Sequence, residues 1–334
     1  MVIVGILVIL RNKILPIIEK VPTLLVVIPL LVWSVMIQLF IVHSFNVHPT
    51  WDFGVMINES KSLLENRKLS GYYFIKYPNN ILMVCILALI GRLFSPELYV
   101  YQLVNIVVIT FSQFLIFQIT SKLAGIQVGK ISLLISVFFF PYIFYAPIVY
   151  TDIFSLPFLL IPLTILVKEK GHFRNNILLV ILVSIIFSLG MILKGSLIIF
   201  IIAYSIVLLL FSEGWKRTSF FIPLAILLIT KLLFNFVIYD QGLLNKRDVK
   251  RYSFPVSHWI VMGQNNTNFG KFSQADVDWT DSLLKRMPKE KVTKIHLQEL
   301  SNRLKNRGVV GNIRFELHKL SHIWTDGTLL TKQT

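Results

Sequence analysis

Residues 22–43 read PTLLVVIPLLVWSVMIQLFIVH, an apolar run without Asp, Glu, Lys or Arg. A helix that spans a bilayer needs roughly 20 predominantly apolar residues. Comparable runs recur along the first 239 positions, and 55% of the chain is hydrophobic. In lipid only helices or closed barrels satisfy their backbone groups, and long continuous runs favour helices over the short alternating strands of a barrel. The sequence therefore predicts an all-α polytopic membrane protein.

The formal net charge of +16 would suggest a nucleic-acid partner in a soluble protein. Here much of the positive charge lies in short loops between apolar runs, where Lys and Arg set membrane topology. The sequence contains no recognisable DNA- or RNA-binding motif, so we predict no nucleic-acid partner. Cys85 stands alone in an apolar run, which excludes a disulfide framework. The histidines and acids lack metal-ligand spacing, so we predict no metal and no cofactor.

The candidate helices are 22–43, 79–94, 98–119, 131–149, 153–167, 177–193, 196–212 and 219–239. The short run 79–94 decides the topology. If it spans, most loop lysines and arginines fall outside; if it is re-entrant or interfacial, they fall inside, as the positive-inside rule prefers. The second reading places the loop 44–78, the turn 150–152 and the tail after Tyr239 on the outer side.

Two domains follow from this topology. Residues 1–239 form a transmembrane domain with the external loop 44–78, and residues 240–334 form a polar extracytoplasmic region. The apolar residues 1–10 lack the basic start and cleavage site of a signal peptide and are typical of a helix end. This leaves open that the chain is part of a longer protein and that its C-terminal region is truncated.

Two isolated acids, Asp52 and Asp152, lie at the predicted outer ends of apolar segments. A membrane enzyme can use carboxylates at such a lipid–water boundary, so both are candidate catalytic residues. The alternative for Asp152 is a helix N-cap, a position that Asp favours. Lys194 interrupts two apolar helices on the same side. It can snorkel to lipid headgroups or hold the phosphate of a lipid-linked donor.

The loop 44–78 is long for a connection between helices, and such loops are often functional. Its part 51–64 is typical of an amphipathic helix on the membrane surface. The aromatic part that follows contains Lys76 and Tyr77 and resembles an interfacial belt. Asn79 and Asn80 open the next helix, and since one amide suffices for a cap, the other is available for a sugar or phosphate.

The polar tail contains further candidates for sugar contacts in loops rich in Gly, Asn and Trp. His258 and Trp259 lie in one such segment, and Asp326 lies in Trp324-Thr325-Asp326-Gly327-Thr328. The same residue types also form ordinary turns, and a lone His258 has a structural alternative. With Lys76, Tyr77, Asn79, Asn80 and Lys194, these residues complete the predicted substrate-binding set.

An outer-side Asp52, the aromatic approach to Pro78, and a second outer-side Asp152 together resemble the GT-C superfamily of membrane glycosyltransferases. The nearest type is the dolichyl-phosphate-mannose-protein mannosyltransferase-like family, and the variant Tyr77-Pro78-Asn79-Asn80 is similar to a subgroup of Gram-positive bacterial integral membrane proteins. The resemblance implies a GT-C-like helical bundle. It also implies that Asp52 and Asp152 are the family's first-loop and second-loop acids.

This resemblance implies a glycosyltransferase that moves a sugar from a polyprenyl-phosphate-linked donor to a glycan, lipid or protein acceptor. Asp52 would be the base, the anomeric carbon would invert, and the site would face the extracytoplasmic side of the cell membrane. Two alternatives remain open from the residues. One is a transporter or flippase for lipid-linked glycans, which ionisable residues inside membranes can indicate. The other is a non-catalytic subunit of a cell-envelope assembly system.

Overall fold

The computed structural model describes residues 20–45, 47–66, 68–69, 72–169 and 176–325. The predicted site residue Asp326 lies outside them. Contacts divide the chain into a first unit, Met1–Gly71 with Asn79–Leu243, and a second unit, Tyr72–Pro78 with Leu244–Thr334. The predicted assignment of 1–239 to the membrane and 240–334 to the outer side stays a prediction.

The described residues form helices joined by turns, without a strand among them, which confirms the all-α prediction. The helices are α1 (Thr23–Ser44), α2 (Trp51–Asn66), α3 (Tyr73–Lys76), α4 (Ile81–Leu93), α5 (Leu98–Ala124), α6 (Ile126–Val137), α7 (Phe140–Phe144), α8 (Thr151–Phe154), α9 (Leu156–Lys168), α10 (Ile177–Leu193), α11 (Ile198–Phe211), α12 (Phe221–Asp240), α13 (Lys246–Tyr252), α14 (Val256–Met262), α15 (Gln274–Arg286) and α16 (Lys289–Thr325).

Four helical segments of the described chain are long and apolar enough to cross a membrane. They are Thr23–Ser44, Leu98–Ala124, Thr151–Lys168 and Lys216–Asp240. Shorter apolar helices accompany them, among them the segment that ends at Leu93. With 13 residues and a rise of 1.5 Å per residue, α4 is about 20 Å long, well short of a hydrocarbon core of about 30 Å. The re-entrant or interfacial assignment of this segment stays a prediction.

The predicted single helix 131–149 is wrong. The chain instead ends α6 at Val137, forms the short α7 with Pro141 in its first turn, and continues as turns to Tyr150. Proline lacks a backbone N–H and clashes with the preceding helical turn, so Pro141 begins a helix more readily than it continues one. Pro147 lies in the turns that follow α7, where it likewise cannot continue a helix. These interruptions produce the turn segment that later carries Tyr150.

The first unit packs around α5, which contacts α1, α6 and α9. Buried Ile106 and Ile109 of α5 pack with Val42 and Ile153. A second cluster, centred on Phe187 and contributed by α10 and α11, lies elsewhere in the unit. The apolar core of this unit therefore holds the C-terminal end of α1 and the short α8 against α5.

Polar bonds between apolar helices add direction to this packing. The Ser34 hydroxyl of α1 donates to Gln113 Oε1 of α5 at 2.7 Å. The Gln113 amide donates in turn to the carbonyl of Ser136 in α6 at 3.0 Å. Between membrane helices such bonds each contribute roughly 1 kcal/mol. They specify the register of the three helices more than their total stability.

The second unit comprises α3 and α13–α16. Its core is formed by Phe254, Val277, Leu284 and Val292, against which Tyr77 packs. The backbone N–H of Phe254 donates to the carbonyl of Lys76 at 3.1 Å. This bond and the packing of Tyr77 explain why the short segment Tyr72–Pro78 belongs to the second unit.

Candidate functional site

Asp52 lies in the first turn of α2, which follows an extended segment that ends at Thr50. Its Oδ2 accepts a hydrogen bond from the Tyr150 hydroxyl at 2.9 Å, and the carboxylate is otherwise exposed. The approach of the chain to Asp52 is tight, because a Cβ added at Gly54 would lie 2.7 Å from the carbonyl oxygen of Pro49. The glycine therefore allows the segment before α2 to fold back over its first turn.

The turn segment before Tyr150 is held by amide side chains of α5. Asn105 Nδ2 donates to the carbonyls of Tyr145, Ala146 and Ile148 at 2.9, 3.0 and 3.2 Å. Gln102 Nε2 donates to the carbonyl of Pro147 at 3.1 Å. Both amides are buried. Carbonyls that a continuous helix would have paired internally are thus satisfied by side chains, and the position of Tyr150 is fixed.

Tyr150 is the centre of the site. Burial raises the pKa of its hydroxyl, and the negative charges of Asp52 and Asp152 and the hydrogen bond to Asp52 raise it further. The phenol therefore keeps its proton near neutral pH and acts as a donor to Asp52. The side chain of Asn80 also hydrogen-bonds this hydroxyl. Tyr150 is not among the residues predicted from the sequence, although a tyrosine two residues before an isolated acid and after two prolines was a usable signal.

Asn79 and Asn80 extend the group around Tyr150. Asn79 Nδ2 donates to Asn80 Oδ1 at 3.1 Å, and Asn80 is buried whereas Asn79 is exposed. The side chain of Asn80 forms no cap hydrogen bond with α4. Its amide is therefore used in the site, and Asn79 is the amide that faces solvent.

Asp152 pairs with Lys194, whose Nζ lies 2.7 Å from Asp152 Oδ1. The two side chains are 48% and 32% exposed, respectively. The N-cap of α8 is Tyr150, and no side-chain cap bond forms there; Asp152 is therefore not a capping residue. The ammonium also lies 5.9 Å from the centre of the Tyr150 ring. Five of the predicted residues, Asp52, Asp152, Asn79, Asn80 and Lys194, thus lie in one network of contacts around Tyr150 in the first unit.

Lys76 and Tyr77 belong to the second unit. Lys76 Nζ lies 2.9 Å from Asp281 Oδ1, and Lys285 Nζ lies 2.9 Å from Asp281 Oδ2. Burial alone would raise the pKa of Asp281, but the hydrogen bonds from Lys285 and Lys76 outweigh it and the pKa lies below its usual value. The ring of Tyr77 packs against Trp259 with centroids 5.8 Å apart. Within this unit both residues make structural contacts.

His258 is fully buried in the second unit. Its Nδ1 lies 2.8 Å from the Thr280 hydroxyl, which also lies 3.2 Å from His296 Nε2. Burial and the nearby His296 together lower the pKa of His258 to about 4, and Asp276 partly opposes this shift. Trp259, next in the chain, is half-exposed. The surroundings of His258 are those of a neutral structural histidine.

Among the described residues, no three His, Cys, Asp or Glu side chains gather in a group that could hold a metal ion. The site around Tyr150 instead offers two carboxylates, a lysine ammonium, amides and a phenol. Such groups can accept a proton, bind an anion and hydrogen-bond hydroxyls.

Comparison with known proteins gives a membrane family. The family described as "Conserved hypothetical integral membrane protein" matches residues 1–332. No curated protein matches the chain, and no solved structure matches it. With its several apolar helices the chain is a multi-pass membrane protein whose surroundings include the lipid bilayer. The chain belongs to this family of conserved hypothetical integral membrane proteins.

Proposed function

We propose that this protein is a membrane glycosyltransferase of the GT-C type that moves a sugar from a polyprenyl-phosphate-linked donor to a cell-surface acceptor. The observation that supports this most strongly is the meeting of Asp52 and Asp152 at Tyr150, at one end of a set of apolar helices. A lipid-linked donor would lie along such helices and present its head group at their end. We place this site on the extracytoplasmic side, as the distribution of loop charges favours.

Asp52 is the base in this proposal because one carboxylate edge is held by Tyr150 while the side chain remains exposed. The acceptor hydroxyl oxygen forms a bond to the anomeric carbon as the bond from that carbon to the donor phosphate oxygen breaks. The hydroxyl proton passes to Asp52, and the polyprenyl phosphate leaves with the bonding electron pair. One displacement inverts the anomeric carbon, and a positioned base contributes about 10²–10⁴-fold to such a reaction.

Lys194 is suited to the donor phosphate. A lysine ammonium has three N–H donors, and the contact with Asp152 uses one of them. The other two can bind phosphate oxygens while Asp152 keeps the ammonium in place. Fixed positive charge at a leaving phosphate stabilises the negative charge that develops there in the transition state. Asp152 is therefore a positioning residue for Lys194 in this scheme.

Asn79 supplies a hydroxyl-binding amide. It is exposed, and its Nδ2 is oriented by the buried Asn80, which also hydrogen-bonds Tyr150. Its carbonyl oxygen can accept from a sugar hydroxyl next to the base. Positioning of two reactants by such contacts can itself supply several kcal/mol of the barrier reduction, roughly 7–11 kcal/mol at best.

The test measures transfer of radiolabelled sugar from a panel of polyprenyl-phosphate sugars in membranes that contain the wild type, Asp52→Asn or Asp152→Asn at equal expression. We expect transfer by the wild type, a loss of about 10²-fold or more in Asp52→Asn, and a smaller loss in Asp152→Asn. Asp278→Asn, at an exposed acid of the second unit, is the matched control and should retain full transfer.

Two results would reject the proposal in different ways. No transfer from any donor by the wild type would reject the transferase and favour lipid-glycan transport or a non-catalytic subunit. Full transfer in Asp52→Asn would retain the transferase but reject Asp52 as its base.

A further inference from the structure

Two adjacent clefts in the second unit have no role in the proposed reaction. The polar cleft, about 420 Å³ in volume, is lined by Asn265, Asn266, Thr267, Glu299, Asn302, Arg303 and Asn306. The basic cleft, about 410 Å³ in volume, is lined by Asn266, Phe269, Arg307, Arg314, Phe315 and His318. Asn266 lines both, so the two clefts adjoin at this residue.

The basic cleft contains an arginine with unused donors. Arg307 Nη2 donates to Gln264 Oε1, and its guanidinium carbon lies 3.9 Å from the centre of the Phe315 ring. Its Nε and Nη1 are buried and have no hydrogen-bond partner among the described residues. Buried unpaired donors of a charged group are costly and rare. Since arginine stays charged, these donors fit a carboxylate or phosphate, which match its planar fork.

Arg303, one turn earlier in α16, provides a contrast. Its Nε donates to Glu299 at 2.8 Å, its Nη1 to the carbonyl of Val261 at 2.7 Å, and its Nη2 to Asp276 at 3.3 Å. All three nitrogens of Arg303 are therefore used within the protein. A structural role explains Arg303 and leaves the two free nitrogens of Arg307 unexplained.

The polar cleft presents amides that the fold does not use. Asn302 and Asn306 are four residues apart on α16 and so share a helix face; both are exposed and, like Asn266, make no side-chain hydrogen bond among the described residues. Asn265, by comparison, is used internally, because it donates to Asp276 Oδ2 at 2.6 Å. Free amides that both donate and accept are suited to hydroxyl groups.

Gly308 shapes the junction of the two clefts. Its φ of 63° and ψ of −179° break α16 between Arg307 and Val309, in a backbone region that is essentially restricted to glycine. Before the break, Asn302 and Asn306 line the polar cleft and Arg307 lines the basic cleft; after it, Arg314 and Phe315 line the basic cleft. The half-exposed ring of Phe269 stacks on His318 with centroids 4.0 Å apart and adds a flat surface for a sugar ring.

We propose that the joined clefts bind an anionic carbohydrate, with its acidic group at Arg307 and Arg314 and its hydroxyls at Asn302 and Asn306. The binding follows from the cleft residues alone. That this carbohydrate is the acceptor of the transfer reaction rests on the proposed function.

The experiment presents the full chain, in nanodiscs of phosphatidylcholine without net charge, to a printed array of oligosaccharides. The array carries uronic-acid and phosphorylated oligosaccharides next to their neutral counterparts. We expect acidic members to bind roughly tenfold or more tightly than the neutral ones. Arg307→Gln should remove most of this preference. Asn302→Ala should weaken the binding of acidic oligosaccharides but leave them preferred over the neutral ones. Inorganic phosphate should compete only weakly.

Arg286→Gln is the matched control, because Arg286 is exposed on α15 outside both clefts, and it should bind as the wild type does. The proposal is rejected if no acidic member binds, if neutral and acidic members bind equally, or if Arg307→Gln and Asn302→Ala bind as the wild type does. Binding without sugar transfer would support carbohydrate binding by the clefts and reject the acceptor role. Transfer that depends on Asp52 without carbohydrate binding would reject the cleft and keep the transferase.

Discussion

The hydroxyl of Tyr150 donates a hydrogen bond of 2.9 Å to Oδ2 of Asp52, from which it is separated by 98 positions in the sequence. Asp152 and the Tyr150 ring both contact Lys194. One tyrosine thus connects two acids that lie far apart in the sequence. Because the tyrosine is uncharged, its hydroxyl can be removed without changing the charges of Asp52, Asp152 and Lys194.

Replacing Tyr150 with Phe removes this hydroxyl and keeps the ring. We expect the turnover number for sugar transfer to fall about tenfold, because a hydrogen bond to a charged group is worth roughly 1.5–3 kcal/mol and Asp52 would lose its fixed orientation. The KM for the donor should stay unchanged, since Lys194 is retained. Steady-state transfer assays in nanodiscs measure both quantities.

Tyr99→Phe is the control for this substitution, because Tyr99 is an exposed tyrosine at the start of α5, and it should transfer sugar at the wild-type rate. Full turnover in Tyr150→Phe would show that Asp52 needs no orientation by the phenol. A rise in donor KM with unchanged turnover would place Tyr150 in substrate binding instead.

Replacing Asn105 with Leu should lower thermal stability. The change removes three donor contacts to backbone carbonyls, and each buried acceptor left unpaired costs about 1–3 kcal/mol. Since some carbonyls can find other partners, we expect a total loss of roughly 2–4 kcal/mol. Thermal unfolding in detergent measures this loss as a lower melting temperature.

The comparison for Asn105→Leu is Ser112→Ala in the same helix. Ser112 is also buried, but within the described part of the chain its side chain bonds only the carbonyl of Val108 one turn back. Its removal should change the melting temperature little. Equal effects of the two substitutions would contradict the role of Asn105 in holding the turn segment.

Much of the first unit was predictable from local signals. Charge-free apolar runs predicted α1 and α5, and the scarcity of acids outside the tail directed attention to Asp52 and Asp152. The helix predicted over 131–149 failed because hydropathy is insensitive to backbone geometry. Pro141 and Pro147 interrupt the helix, and the apolar residues between them occupy turns whose carbonyls Asn105 satisfies.

The partners of the site residues were beyond a local reading of the sequence. Whether Lys194 meets a headgroup, a phosphate or Asp152 depends on which helix ends are adjacent, and this is set by packing around α5. The same limit applies to Lys76, whose partner Asp281 lies more than 200 residues away. Long-range pairs of this kind leave no periodic signal in a single sequence.

Replacing Lys194 with Gln should weaken binding of the donor without lowering the stability of the protein. The pair with Asp152 is partly exposed, and exposed ion pairs contribute at most about 1 kcal/mol, so the melting temperature should change little. Loss of a charge-assisted contact to the donor phosphate should raise the donor KM roughly tenfold or more. Lys194→Arg, which keeps the charge, should recover part of this loss.

Lys168→Gln serves as the control for Lys194→Gln. Lys168 is exposed at the end of α9, which is the helix end opposite the site, so its donor KM should match that of the wild type. An unchanged donor KM in Lys194→Gln would show that Lys194 does not bind the donor phosphate.

The buried histidines should make the second unit sensitive to acid. Burial lowers the pKa of both His258 and His296 from 6.5 to about 4. For His296 the charge of Asp276 opposes the shift and that of Arg303 adds to it. Between these two pH values the unfolded chain binds protons that the folded unit excludes. The free energy of unfolding should therefore be constant above pH 6.5 and decrease as the pH falls from 6.5 to about 4, by at most about 1.4 kcal/mol per pH unit for each histidine.

Hydrogen exchange of the full chain in nanodiscs, corrected for the intrinsic pH dependence of exchange, measures this decrease in peptides from Val256–Met262 and Gln274–Arg286. A His258→Gln, His296→Gln variant should lose the pH dependence because it has no buried imidazole to protonate, whereas His43→Gln, at an exposed histidine of α1, should keep it. Protection that stays constant or increases toward pH 4 in the wild type would contradict the neutral, buried state of the pair. Loss of protection with equal slope in the double variant would assign the acid sensitivity to other groups. Asp281 is the first candidate, because its hydrogen bonds from Lys285 and Lys76 hold its pKa below the usual value in the folded unit.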